Sequence, residues 1–62
     1  MLLEEIKNLK ETRNYDRIKL DEIEHKIRDE IGAAEMWNTL TPAFELDEYI
    51  ENLEYIAKEH DL

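Results

Sequence analysis

The stretch LLEEIKNLKETRNYDRIKLDEIEHKI, residues 2–27, decides the fold class of this chain. Its aliphatic residues recur at alternating steps of four and three, which is the spacing of one seam along a helix. Helix-forming residues continue beyond this stretch and across Gly32, so we predict a first helix over residues 2–37. The apolar positions of the predicted seam are Leu2, Ile6, Leu9, Leu20, Ile23 and Ile27.

Two charged residues, Arg13 and Asp16, occupy seam positions at the middle of this stretch. In an antiparallel pair of copies, Arg13 of one chain would face Asp16 of the other, whereas parallel pairing would place like charges together. The sequence therefore predicts antiparallel self-association through the six apolar seam residues together with Arg13 and Asp16. The alternative is a break between two separate helices, which would leave both charges in solvent.

A second helix is predicted over residues 42–60, after a connector at 38–41. Thr41 suits an N-cap and Pro42 suits the first helical position, whereas Asp47 marks a competing start. Because the first predicted helix is much longer than the second, a hairpin would leave its Leu2–Leu9 end uncovered, and apolar ends of this kind are usually buried by another chain. We therefore predict a single all-α domain over residues 1–62, an antiparallel helical hairpin that dimerises into a four-helix bundle.

The composition of the 62 residues narrows the function class. The chain has no cysteine, which excludes disulfides and thiolate metal sites. A thin helical hairpin offers no enclosed pocket that would shift carboxylate pKa values, so we predict no enzyme activity, no catalytic residue, no metal and no cofactor. The start of the chain lacks the pattern of a signal peptide, and no apolar run is long enough for a membrane span, which predicts a cytoplasmic protein.

The net charge of −9 is concentrated at one end of the chain. Residues 43–62 carry seven acidic side chains and a single basic one, Lys58. Such a surface repels nucleic acid and anionic membranes, so we predict neither as a direct partner, and a basic protein is the natural complement. The predicted partner-binding residues are four acidic side chains and two aromatic ones from the bend between the helices: Asp47, Glu48, Glu51, Glu54, Trp37 and Phe44.

These observations predict a small acidic protein-binding module, an inhibitor or regulator that docks on a basic surface such as a nucleic-acid-binding site. Two simpler interpretations of the same residues stay open: the acidic side chains can form an ordinary solvated face, and the aromatic residues can close the core between the helices. The alternative functions are a structural or assembly subunit that acts through homo-oligomerisation, and an acidic antitoxin for a basic toxin.

Overall fold

The computed structural model describes residues 1–14, 16–41 and 44–62, and these residues form four helices. Helix α1 covers Leu2–Thr12, α2 covers Arg17–Ile31, α3 covers Ala33–Thr39 and α4 covers Leu46–Glu59. The all-α fold class is therefore confirmed, whereas the two-helix hairpin is wrong. The predicted first helix over residues 2–37 is divided into α1, α2 and α3 by two breaks.

The first break lies at the charged pair in the seam. Arg13 ends α1 in a left-handed conformation, with φ 53° and ψ 29°. Asp16 is the N-cap of α2, and its carboxylate accepts a 2.9 Å hydrogen bond from the Lys19 backbone N–H. Because a cap of this kind satisfies an otherwise unpaired N–H, Asp16 begins a new helix instead of continuing the old one. Both side chains are exposed, as the second of the two sequence interpretations expects.

The second break lies at Gly32, which separates α2 from α3. Its φ of 92° and ψ of 151° belong to a region that glycine alone adopts readily. The Gly32 N–H donates to the Arg28 carbonyl at 2.8 Å, and the Gly32 carbonyl accepts from the Met36 N–H at 3.1 Å. Helical hydrogen bonds thus continue on both sides of Gly32 while its own backbone leaves the helical conformation, so this residue ends α2 and begins α3.

Helix α4 begins at Leu46, after an extended Glu45, and not at residue 42. The predicted Pro42 start lies outside the described residues. At its other end α4 closes in a Schellman motif: Leu62 N–H donates to Ala57 at 2.9 Å and Asp61 N–H donates to Lys58 at 3.3 Å. Asp61 supplies the left-handed residue of this motif, with φ 56°.

Contacts between the helices give their directions. The Leu2 N–H donates to the Leu62 carbonyl at 2.9 Å, and Lys10 Nζ lies 3.0 Å from Glu54 Oε1, so α1 runs antiparallel to α4. A 3.2 Å pair between Lys26 and Glu5 shows that α1 also runs antiparallel to α2. Helix α4 therefore runs parallel to α2, with α3 packed against α2.

One apolar core joins the four helices. Helix α4 supplies half of its ten buried residues, because its apolar side chains face α1 on one side and α2 on the other. Burial of each large aliphatic side chain contributes about 1.5–3 kcal/mol, and this core is the main favourable term for so short a chain. The buried residues are Ile6, Leu20, Ile23, Ile27, Met36, Tyr49, Ile50, Leu53, Ile56 and Ala57.

The self-association seam is largely enclosed within a single chain. Ile6 is completely buried, and the half-buried Leu2 and Leu9 pack against the same core. Because α4 runs back along α1, it covers the end that a simple hairpin would leave exposed. Dimerisation stays a prediction, but the uncovered Leu2–Leu9 end on which it was based does not occur in this fold.

Candidate functional site

The acidic side chains predicted to bind a partner lie along the first two turns of α4 and just beyond. Asp47, Glu48 and Glu51 are exposed. Asp47 and Glu48 lie in the first turn, where the positive end of the helix dipole favours carboxylates. Part of this acidic character therefore stabilises the helix itself, while Glu51 lies one turn farther on.

Glu54, the fourth predicted acidic residue, is engaged within the chain. Its carboxylate accepts a 3.0 Å hydrogen bond from Lys10 Nζ across the α1–α4 contact, and its side chain is 17% exposed. A partly exposed pair of this kind contributes on the order of 0.5 kcal/mol. Glu54 thus belongs to the packing of α1 on α4 more than to an open surface.

The two aromatic residues of the predicted bend are the most exposed large hydrophobic side chains among the described residues. Trp37 on α3 is 85% exposed and Phe44, just before α4, is 95% exposed. Neither closes the core, so that simpler interpretation is wrong for both. Their neighbour Met36 fills that place instead, with 2% exposure.

The two aromatic residues lie beside different parts of α4. Phe44 borders a shallow open depression together with Arg13 from the end of α1 and residues from the start of α4. Trp37 belongs to α3, which approaches the end of α4, where Glu35 Oε1 is 3.8 Å from His60 Nε2. Beyond α3, the Thr41 carbonyl accepts a 2.9 Å hydrogen bond from Asn52 at the middle of α4. Only Phe44 therefore shares a surface with the first acidic residues of α4.

A second depression continues the first along the α1–α4 edge, because Arg13 and Asp47 border both. We call the two together the α1–α4 groove. Its accessible apolar side chains are the partly buried Leu46 and the exposed Phe44 at one end, and Ile50 beneath it is buried in the core. Its charged side chains are Lys10 and Arg13 on the α1 side, and Glu45, Asp47 and Glu51 on the α4 side.

Sequence reasoning missed a polar cluster around Tyr49. The Tyr49 hydroxyl donates a 2.8 Å hydrogen bond to Asp21 Oδ1, and Arg17 Cζ lies 5.2 Å from the centre of the ring, a cation–π distance. Burial raises the pKa of Tyr49 far above its usual range, and the Asp21 bond and the negative charge of Glu24 raise it further. Arg17 and Asp21 stand one helical turn apart on α2, which is the only hint in the sequence.

The described residues show no cluster of side chains that could hold a metal ion. Within residues 1–14, 16–41 and 44–62, no three histidine, cysteine, aspartate or glutamate side chains converge as metal ligands would. None of the four described helices combines the length and apolar character that a bilayer crossing demands. Compared with known proteins, the chain matches no family model, no curated protein and no solved structure.

Proposed function

We propose that this chain is a non-enzymatic protein-binding module, a regulator or inhibitor that docks on a basic surface of another protein. The binding surface is the acidic–aromatic surface, which we define as Phe44, Asp47, Glu48 and Glu51; Trp37, the second exposed aromatic residue, lies away from it on α3. A nucleic-acid-binding site is one kind of basic surface that fits this proposal, since it carries the positive charge that a phosphate backbone requires.

The observation that carries the proposal is the 95% exposure of Phe44 directly before the carboxylates of α4. A phenylalanine left in water forgoes the free energy that its burial would release. The same chain buries ten other hydrophobic residues, so its fold can bury apolar groups and does not use this one. Exposed aromatic residues beside charged ones are typical of protein-binding surfaces, where an aromatic anchor supplies affinity and charge supplies steering.

Helix stability alone does not account for the charge. The helix dipole explains carboxylates in the first turn, but its effect falls off beyond that turn. Glu51 lies outside it, and among the described residues neither Glu48 nor Glu51 forms an ion pair. These two residues therefore supply negative charge that the described part of the fold does not neutralise.

The test compares two variants that lose the same amount of charge. Glu48→Gln with Glu51→Gln removes two carboxylates from the acidic–aromatic surface. The matched control, Asp29→Asn with Glu30→Gln, removes two exposed carboxylates from the last turns of α2. Because α2 runs parallel to α4, the control positions lie at the opposite end of the bundle from the start of α4.

The measurement is capture from a cell lysate at low and at physiological salt, followed by titration of each captured protein with the purified variants. We expect a basic protein that binds the wild type and the control equally and binds the Glu48/Glu51 variant at least about tenfold more weakly in low salt. Circular dichroism verifies that both variants are folded. Equal binding by all three proteins, or captured partners without a basic surface, would refute the proposal.

A further inference from the structure

We propose that Phe44 is the anchor of the acidic–aromatic surface, and that the α1–α4 groove beside it receives a basic amphipathic helix of the partner protein. This inference rests on the proposed function and adds to it the form of the partner and the residue that holds it. Trp37, although equally aromatic, has no part in this contact.

The shape of the groove favours a helix as the occupant. It runs along the edge between two antiparallel helices and is open to solvent; its accessible apolar surface comes from the exposed Phe44 and the partly buried Leu46, while Ile50 beneath it belongs to the core. An amphipathic helix is the element that lays one continuous apolar stripe into such a groove. Phe44, at the end of the groove, would be covered by the same stripe.

The charges around the groove favour a basic occupant. Its α4 side presents the carboxylates of Glu45 and Glu51, and that of Asp47, which has an interaction of its own within the chain. Its α1 side presents Arg13 and Lys10, but Lys10 is already held by Glu54 at 3.0 Å. A helix with lysine or arginine beside its apolar stripe therefore finds more opposite charge than like charge here.

A second copy of this chain fits the groove less well. Each copy carries a net charge of −9, so two copies repel each other as they approach. A basic helix gains from the same field. The two occupants are separated by experiment, because only self-association would depend on the concentration of the chain alone.

Trp37 is excluded as the anchor by its position. Helix α3 approaches the end of α4, where Glu35 lies near His60. The groove and its carboxylates lie at the first half. Trp37 and Phe44 thus form a matched pair of exposed aromatic residues, one outside the groove and one within it.

The experiment uses the full chain and two labelled synthetic peptides with the same number of lysines. In the first peptide, leucines stand at i, i+3, i+4 and i+7, so a helix of it has an apolar stripe. In the second peptide, serines replace the leucines. Fluorescence anisotropy in low salt gives the dissociation constant of each peptide for the wild type, Phe44→Ser and Trp37→Ser.

We expect the Lys/Leu peptide to bind the wild type about tenfold more tightly than the Lys/Ser peptide, which is the lower range for burial of one phenylalanine. Phe44→Ser should abolish this advantage and leave the affinity for the Lys/Ser peptide unchanged. Trp37→Ser should retain the advantage. Circular dichroism controls for folding, which neither exposed position should disturb.

Each contrary outcome refutes one part of the proposal. If the wild type bound both peptides with equal affinity, Phe44 would not be the anchor, and the proposed function would stand. The same holds if Phe44→Ser still bound the Lys/Leu peptide more tightly than the Lys/Ser peptide. Loss of the advantage in Trp37→Ser would move the anchor to α3. Dimerisation of the wild type that Phe44→Ser removes would assign the groove to a second copy. Failure of both peptides to bind would refute this inference and count against charge-driven docking itself.

Discussion

Tyr49 makes the stability of this protein depend on pH in the alkaline range. Burial of the Tyr49 hydroxyl, together with the hydrogen bond that it donates to Asp21, raises the pKa of Tyr49 in the folded state. In the unfolded chain the pKa is about 10. A group whose pKa is raised by folding stabilises the fold fully below the unfolded value and loses that contribution as the pH rises above it.

The size of the effect follows from this linkage. Between pH 10 and 11.5 the unfolded state releases the Tyr49 proton while the folded state retains it, which lowers the free energy of unfolding by about 2 kcal/mol. A chain of 62 residues has only about 3–9 kcal/mol in total. At neutral pH, Tyr49→Phe should lower stability by about 1.5–3 kcal/mol, because it removes a hydrogen bond to a charged acceptor.

Urea unfolding followed by circular dichroism at pH 7, 9, 10.5 and 11.5 tests this reasoning. The wild type should exceed Tyr49→Phe in stability at pH 7, and the difference should shrink towards zero near pH 11.5. Contributions from all groups that the two proteins share cancel in this difference. Tyr55→Phe is the control, since Tyr55 is 59% exposed and its substitution also removes one tyrosine hydroxyl. A difference that stays constant over this range would refute the assignment.

Three further predictions concern the helix ends and the seam. Asp61→Gly should raise the unfolding free energy by about 1 kcal/mol, because glycine takes the left-handed conformation without steric cost; a lower thermal midpoint would contradict this. Asp16→Ala should lower the unfolding free energy by about 0.5–2 kcal/mol, because the Lys19 N–H loses its cap. The double variant Arg13→Asp with Asp16→Arg should be less stable than the wild type, whereas an antiparallel dimer with Arg13 facing Asp16 predicts wild-type stability for it. Ile6→Ala should cost about 2–5 kcal/mol by denaturation at every protein concentration, and a midpoint that rises with concentration would show that dimerisation contributes.

The apolar seam shows what spacing can predict and what it cannot. Ile6, Leu20, Ile23 and Ile27 share one predicted face, and all four are buried. The spacing does not reveal that the chain turns between Ile6 and Leu20. Two antiparallel helices that face one core also repeat their apolar residues at steps of three and four, so a turn that keeps the phase resembles a continuous helix.

The two helix breaks, at Arg13 and at Gly32, are difficult to predict from the sequence. Arginine is an unusual residue for a left-handed helix end, which glycine or asparagine typically supplies, so Arg13 gives no warning of the turn. Gly32 does indicate a helix end, but the two alanines that follow it favour a helix, so the sequence is equally consistent with a helix that continues. For α4, the seam residues Ile50, Leu53 and Ala57 are buried as the 3.6-residue period predicts.

The candidate site was predictable in its charge and not in its geometry. The acidic excess is a property of composition, so Glu48 and Glu51 could be named from the sequence. Glu54 forms an ion pair with Lys10 because α1 packs antiparallel on α4, and a hairpin with one long helix does not predict this packing. Likewise, the separation of Trp37 from Phe44 depends on α3 being a helix of its own.

The pairing of the first helix with the last has a consequence for how the chain is made. Ile6 is buried in a core that α1 shares with α4, so α1 cannot complete its packing until α4 has left the ribosome. Closing so long a segment adds little entropic cost, since each doubling of loop length adds about 0.6 kcal/mol. We therefore expect no stable fold before α4 has emerged, and a nascent chain arrested before α4 should be digested by protease where the released protein resists.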